Sequence, residues 1–191
     1  MTMRIPRELR FLLTVAVVAG ALAACGDPAS QTDATYVNVV DTTTLYALRG
    51  TSVVLPSGYD IPNKLLARTD VAAFDFAFDI DPAGSALMYP AGALGLARGP
   101  GILTTTVSFD SMASAPTTGY VDSVGVVITT GSVFVVKSRP DANACGLQGQ
   151  LPKYAKFHVL AIDLAIRSVL LETLVDQNCG FRSLLPGTPT T

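Results

Sequence analysis

The chain has 191 residues, of which 13 are Lys or Arg and 15 are Asp or Glu, so its formal net charge is −2. This length predicts one domain that is large enough to bury a core. Because there is no basic excess, nucleic acid is not expected as a partner.

The first 24 residues have the pattern of a secretory signal peptide. Arg4, Arg7 and Arg10 precede an uncharged apolar run at residues 11–24. A run of this length is too short to cross a bilayer, which takes about 20 residues. A basic start, a short apolar run and small residues before a cleavage point are typical of a signal that is removed on export.

The run ends in Leu-Ala-Ala-Cys-Gly at residues 22–26, which resembles the lipobox of bacterial lipoproteins. The resemblance implies cleavage before Cys25, acyl chains on that cysteine, and a domain held at a membrane of the cell envelope by lipid. In many Gram-negative bacteria an Asp after the lipidated cysteine retains the protein at the inner membrane. Gly26 stands there, which favours the outer membrane if the source has one. The alternative is an ordinary signal cleavage that leaves Cys25 as a free thiol.

The remaining 167 of the 191 residues have a composition typical of β-structure. Glu172 is the single Glu after the signal, whereas Asp, Thr, Val, Gly and Pro are frequent. Asp and Gly favour turns, while Thr and Val favour strands. We therefore predict an all-β fold with at most one or two short helices, arranged as one antiparallel β-sandwich. Its predicted parts are a flexible lipidated tether (25–35), the domain (36–186) and a disordered tail (187–191).

Residues 74–81 give the clearest strand signal, because Phe or Ile alternates there with Asp or Ala. Strict alternation predicts a half-buried strand, with Phe74 on the core face and the carboxylates of Asp75 and Asp79 toward solvent. Thr130-Gly131 predicts a hairpin between its flanking strands. The other predicted strands are residues 36–40, 43–49, 85–89, 102–109, 124–129, 132–138, 154–162 and 166–175.

Residues 166–175 also fit one face of a helix, but the short connection after the strand at 154–162 favours a second strand. Antiparallel pairing of the two would bring Cys179 next to the loop that holds Cys145. In an oxidising compartment, two remaining cysteines most simply form one disulfide. Metal or redox chemistry is the alternative, although no Cys-x-x-Cys is present.

The motifs of common enzymes are missing from the sequence. There is no Gly-x-Ser-x-Gly, and His158 is the single His, so a zinc site or a catalytic triad is poorly supported. Residues 79–84 match the start of a calcium loop, but position twelve is Pro90 instead of Glu. We therefore expect a non-enzymatic binding or structural module, no metal site, and a His158 that faces solvent or packs loosely. A hydrolytic enzyme is the third possibility.

Three segments together resemble the HmuY-type lipoproteins, which are β-proteins that capture haem. They are Phe-Asp-Phe-Ala-Phe at 74–78, Gly-Ser-Val-Phe-Val-Val-Lys-Ser at 131–138, and Lys-Tyr-Ala-Lys-Phe at 153–157. The segment at 178–184 also resembles the ends of uncharacterised envelope lipoproteins. The first resemblance implies an antiparallel β fold and, as the alternative function, haem or small-ligand capture through paired axial His or Met side chains. The weak candidates for such ligands are His158, Met88 and Met112.

Overall fold

The protein is described by a computed structural model that covers residues 34–96, 99–140, 145 and 151–189. The predicted signal peptide, Cys25 and residues 26–33 of the predicted tether lie outside these residues. Within the described part, one short 3-10 helix (Ala91–Leu94) accompanies the strands. No described helix has the length and apolar character that a bilayer span needs.

Ten strands form two antiparallel sheets of five strands each, which pack face to face as a β-sandwich and confirm the predicted fold class. Sheet one has the order β1 (Val40–Tyr46), β10 (Ser168–Asp176), β9 (Tyr154–Asp163), β8 (Val133–Lys137) and β6 (Gly101–Thr105). Sheet two has the order β3 (Leu65–Ala67), β2 (Gly58–Asp60), β4 (Phe76–Ile80), β5 (Ala86–Pro90) and β7 (Val126–Ile128).

Aromatic rings fill the space between the sheets. Phe76 of sheet two meets Phe157 and Phe134 of sheet one, with ring centroids 5.0 and 5.9 Å apart. Tyr59 packs edge-on against Phe157 at 5.4 Å, and the side chain of Met88 is fully buried in the same cluster. Large aromatic side chains supply much of the apolar area that a core buries, so this cluster is the main contact between the two sheets.

The segment after residue 165 is a strand, as the connection length predicted. β10 pairs antiparallel with β9 on one side and with β1 on the other, so it is a central strand of sheet one. Its inward residues Val169, Leu171 and Val175 belong to the inter-sheet core. A helix would have left the backbone groups of both neighbouring strands without these ladder bonds.

The first two predicted strands are in fact one. The structure places a single strand at Val40–Tyr46, preceded by one bridge in which Asn38 and Gly187 exchange backbone hydrogen bonds of 2.9 Å. Gly187 begins the predicted disordered tail, but this residue is held by its pairing with Asn38. The polar residues 41–42, which separate the two predicted strands, instead lie in β1, where both are exposed.

The predicted hairpin around Gly131 is wrong, although the turn itself forms. Ser132 N–H donates to Thr129 O at 2.9 Å, and Gly131 has a φ of 88°. β7 before the turn pairs with β5 of sheet two, whereas β8 after it pairs with β6 and β9 of sheet one. The turn is therefore a corner between the sheets, since turn residues fix where a chain reverses but not which strand each arm joins.

Candidate functional site

The carboxylates next to and within β4 are buried, which corrects the prediction of a solvated face. Asp75 and Asp79 are 0% and 1% exposed. Asp79 accepts hydrogen bonds from Ile80 N–H, Arg49 N–H and Arg49 Nε at 2.9, 3.1 and 2.6 Å. A carboxylate can be buried when charged and backbone donors replace its water, and a pattern of alternation alone does not reveal such donors.

The strand also begins later than predicted. β4 starts at Phe76, and Phe74 packs with Ala67, Ala77 and Ala91 on the other side of sheet two instead of joining the inter-sheet core. The alternation holds from Phe76 to Ile80, where β4 pairs with β5. Before that point the alternation breaks, because Phe74 lies on the same side of the sheet as Ala77.

A cluster around Arg139 joins the two sheets at one end. Arg139 N–H and Ile61 N–H each donate to Asp75 at 2.8 Å, and Arg139 Nη1 donates to Asp75 Oδ2 at 3.0 Å. Arg139 Nη2 donates to Asp60 Oδ1 at 2.9 Å. Arg139 lies shortly after β8 of sheet one, while Asp60 ends β2 and Asp75 precedes β4 in sheet two. The cluster thus fastens the loop after β8 to sheet two.

Burial has the largest effect on the pKa of the Asp75 carboxyl. Loss of solvent raises the pKa of its carboxyl to about 6, and the hydrogen bond and charge of Arg139 and the amide of Ile61 oppose this rise. Asp60, the second carboxylate on the same guanidinium, adds to it. With two carboxylates facing one cation, the cluster has no positive excess with which to attract an anion.

An apolar groove of about 410 Å³ lies beside this cluster. Phe74, Ala91 and Pro100 contribute to its walls, and Val71 and Leu96 are exposed at its margin. Ligand sites are commonly concave and mostly apolar, with a few polar groups that orient the ligand. The guanidinium of Arg139 is already held by two carboxylates, so the groove suits an apolar group that is neutral or positively charged.

His158 lies at a second cavity, of about 400 Å³, on the outer side of sheet one. Its Nδ1 is 3.1 Å from Glu172 Oε2, and the two residues are direct cross-strand partners in β9 and β10. Its ring also lies 6.2 Å from that of Phe109. Part of the His158 ring remains exposed, which agrees with the loosely packed residue that the sequence predicted.

Lys156, on the same face as His158, is unexpectedly buried. Its Nζ donates to Phe109 O at 2.5 Å and to Met112 O at 3.2 Å, and it lies 4.3 Å from the centre of the Phe109 ring. Burial lowers the pKa of this ammonium, while Asp110 and Glu172 oppose the shift. Lys156 therefore holds the loop around residues 109–112 onto sheet one, a role with no signal in the sequence.

The structure separates Met88 from the other two candidate haem ligands. Met88 lies in the core between the sheets, whereas Met112 lies under the loop on the outer side of sheet one. His158 lines the second cavity, and neither methionine contributes to its walls. Met88 therefore does not fit as a partner of His158 or Met112 in the paired axial ligation that the family resemblance implied.

The predicted disulfide forms between Cys145 and Cys179, with Cα atoms 5.6 Å apart. Cys179 follows β10 by three positions, beside the loop that precedes β9, as the strand pairing required. Across the described residues, no group of three or more His, Cys, Asp or Glu is placed to hold a metal ion. Cys25, the predicted lipidation site, lies outside that part of the chain.

Comparison with models of known protein families and with curated proteins finds no match. The function must therefore be argued from the sequence motifs and from the geometry of the domain.

Proposed function

We propose that the protein is a lipid-anchored, non-enzymatic module of the cell envelope that binds a partner or ligand at its outer surface. The lipobox at Cys25 supports the anchor, and Gly26 supports the outer membrane as its location in a Gram-negative source. The anchor is the contact with a membrane that we propose, and no nucleic-acid partner is proposed for this mildly acidic chain.

The filled core is the observation that carries the surface-binding proposal. A lipocalin-like or haem-capturing sandwich would need room between its sheets, but Phe76, Phe134, Phe157 and Met88 occupy that space and are fully buried. A ligand there would have to displace several aromatic side chains. Binding is therefore better supported at the groove beside Arg139, where apolar walls are already open to solvent.

Two measurements test this proposal. Cys25→Ser should abolish lipidation and leave either unprocessed precursor or a soluble form, and wild-type partitioning of the cleaved variant into detergent would contradict the anchor.

For the groove, we expect the neutral apolar dye Nile red to bind the wild-type protein and to bind Leu96→Asp more weakly. Leu164→Asp, which changes another exposed leucine, in the β9–β10 turn, is the matched control. Equal binding by both variants would contradict the groove.

Haem capture is the alternative function, and a haem titration tests it. Under the surface-binding proposal, haem added to the protein at micromolar concentration should give no shift of the Soret band. A saturable shift that His158→Ala abolishes would instead favour the haem alternative.

A further inference from the structure

The segment at the start of the described residues is clamped to one end of the sandwich. Thr35 N–H and Tyr36 N–H both donate to Asn178 Oδ1, at 2.7 and 2.9 Å, and Asn178 Nδ2 donates back to Tyr36 O at 2.9 Å. Asn178 adjoins Cys179 of the disulfide. The clamp therefore fixes where the chain that leads from the predicted lipid anchor joins the domain.

The same end exposes a cluster of apolar side chains, which we call the N-terminal patch: Tyr36, Val37, Val39 and Leu185. They are 55%, 61%, 54% and 46% exposed. Leu185 lies beside the segment because Asn38 Nδ2 donates to Leu185 O at 3.3 Å. Exposed apolar residues that are grouped in this way mark contact surfaces more often than scattered ones do.

The position of the patch in the chain identifies its partner. Thr35 lies ten positions after Cys25, and a fully extended chain over ten steps spans at most about 35 Å. A lipid on Cys25 would hold the patch at a high local concentration near the bilayer, so a contact too weak to recruit a free domain would still form. Tyr and aliphatic side chains are also suited to the boundary between headgroups and acyl chains.

We infer that the N-terminal patch rests on the bilayer surface and orients the domain, with the β9–β10 turn directed away from the membrane. The inference depends on the proposed lipid anchor at Cys25. β1 begins beside the patch, and its last residue, Tyr46, pairs with Ser168 next to that turn. Seven strand residues span about 20 Å, so the two ends of sheet one lie at clearly different distances from the membrane.

The chain has no Trp, so one introduced Trp reports on one position. The experiment compares lipidated Tyr36→Trp with lipidated Leu164→Trp, both in phosphatidylcholine vesicles with or without bromine on the acyl chains. Leu164 is an exposed apolar residue in the distal turn and serves as the control. We expect bromine to cause a loss of emission from Tyr36→Trp, as for a side chain at the acyl boundary, and to leave the emission of Leu164→Trp unchanged. Adding Val39→Asp to Tyr36→Trp should reduce the quenching, whereas adding Leu164→Asp should not.

Each other outcome overturns the inference in a recognisable way. Equal quenching of both single-Trp proteins, or quenching of neither while both float with the vesicles, rejects the orientation and leaves the anchor intact. Failure to float with the vesicles rejects the anchor and the orientation together. If the emission of Tyr36→Trp changes with the number of protein molecules per vesicle and bromine does not quench it, the patch contacts a second copy of the chain instead of the bilayer.

Discussion

Replacement of Asp75 by Ala removes the acceptor shared by two backbone amides and a guanidinium. The amides of Ile61 and Arg139 would each lose a hydrogen bond of 2.8 Å. An unsatisfied buried donor costs about 1–3 kcal/mol, and Arg139 would keep Asp60 as its remaining carboxylate. We therefore expect the free energy of unfolding to fall by about 3–5 kcal/mol, in the range for breaking a buried ion pair.

Urea unfolding at pH 7, followed by far-ultraviolet circular dichroism, measures this change. The matched control is Asp70→Ala, because Asp70 also pairs with an arginine, Arg68, but on the surface. Exposed pairs contribute about 0–1 kcal/mol, so the control should be nearly neutral. Asp75→Asn should fall between the two, since it keeps one acceptor oxygen. A loss for Asp75→Ala no larger than that for Asp70→Ala would refute the structural role of the cluster.

Three further predictions concern the disulfide, Lys156 and the pKa of Asp75. Changing Cys145 and Cys179 together to Ser should lower the free energy of unfolding by about 3–4 kcal/mol in the chain-entropy model and keep the fold; two alkylated thiols in native wild-type protein would contradict it. Lys156→Met should speed amide hydrogen exchange in the loop that its Nζ holds, and unchanged exchange would show that the loop is held otherwise. Burial raises the pKa of Asp75 to about 6, above its usual value of about 4. Between pH 4 and 6 the folded protein therefore keeps the Asp75 proton, whereas the unfolded chain loses it. Stability should then fall as pH rises from 4 to 6, by about 2–3 kcal/mol, and a slope that persists in Asp75→Asn would contradict this origin.

Contacts between neighbours in sequence were predictable, and contacts between distant segments were less so. β9 and β10 are joined by a short connection, so their pairing followed from length and apolar pattern, and the position of Cys179 followed from the pairing. β7 and β8 are equally close in sequence, but their partners β5, β6 and β9 are distant. The local sequence does not distinguish a hairpin turn from a corner between sheets, because the same residue types form the turn in both.

The buried polar groups were the least predictable part of the candidate site. The Arg139 cluster depends on Asp60, Asp75 and a loop more than sixty residues later, so no spacing rule links its members. The sequence carries one weak signal of this burial. Aspartates are unfavourable in strands, so the two at positions 75 and 79 of a predicted strand indicate a specific role. The burial of Lys156 gave no signal, since its acceptors are backbone carbonyls, which every sequence supplies.

The two aspartates also explain how the sheets keep one alignment. An apolar core is stabilised by burial without directional preference, so rings such as Phe76 and Phe157 could be buried in more than one relative position. Asp75 fastens one end of β4 to the loop after β8 through Arg139. Asp79, four residues on, binds Arg49, which follows β1, and lies 3.9 Å from Arg167 of the β9–β10 turn. Arg167 Nη2 in turn donates to Ile80 O at 2.6 Å. Directional bonds at both ends of one strand therefore restrict how sheet two can slide or rotate on sheet one, which the aromatic core alone would not do.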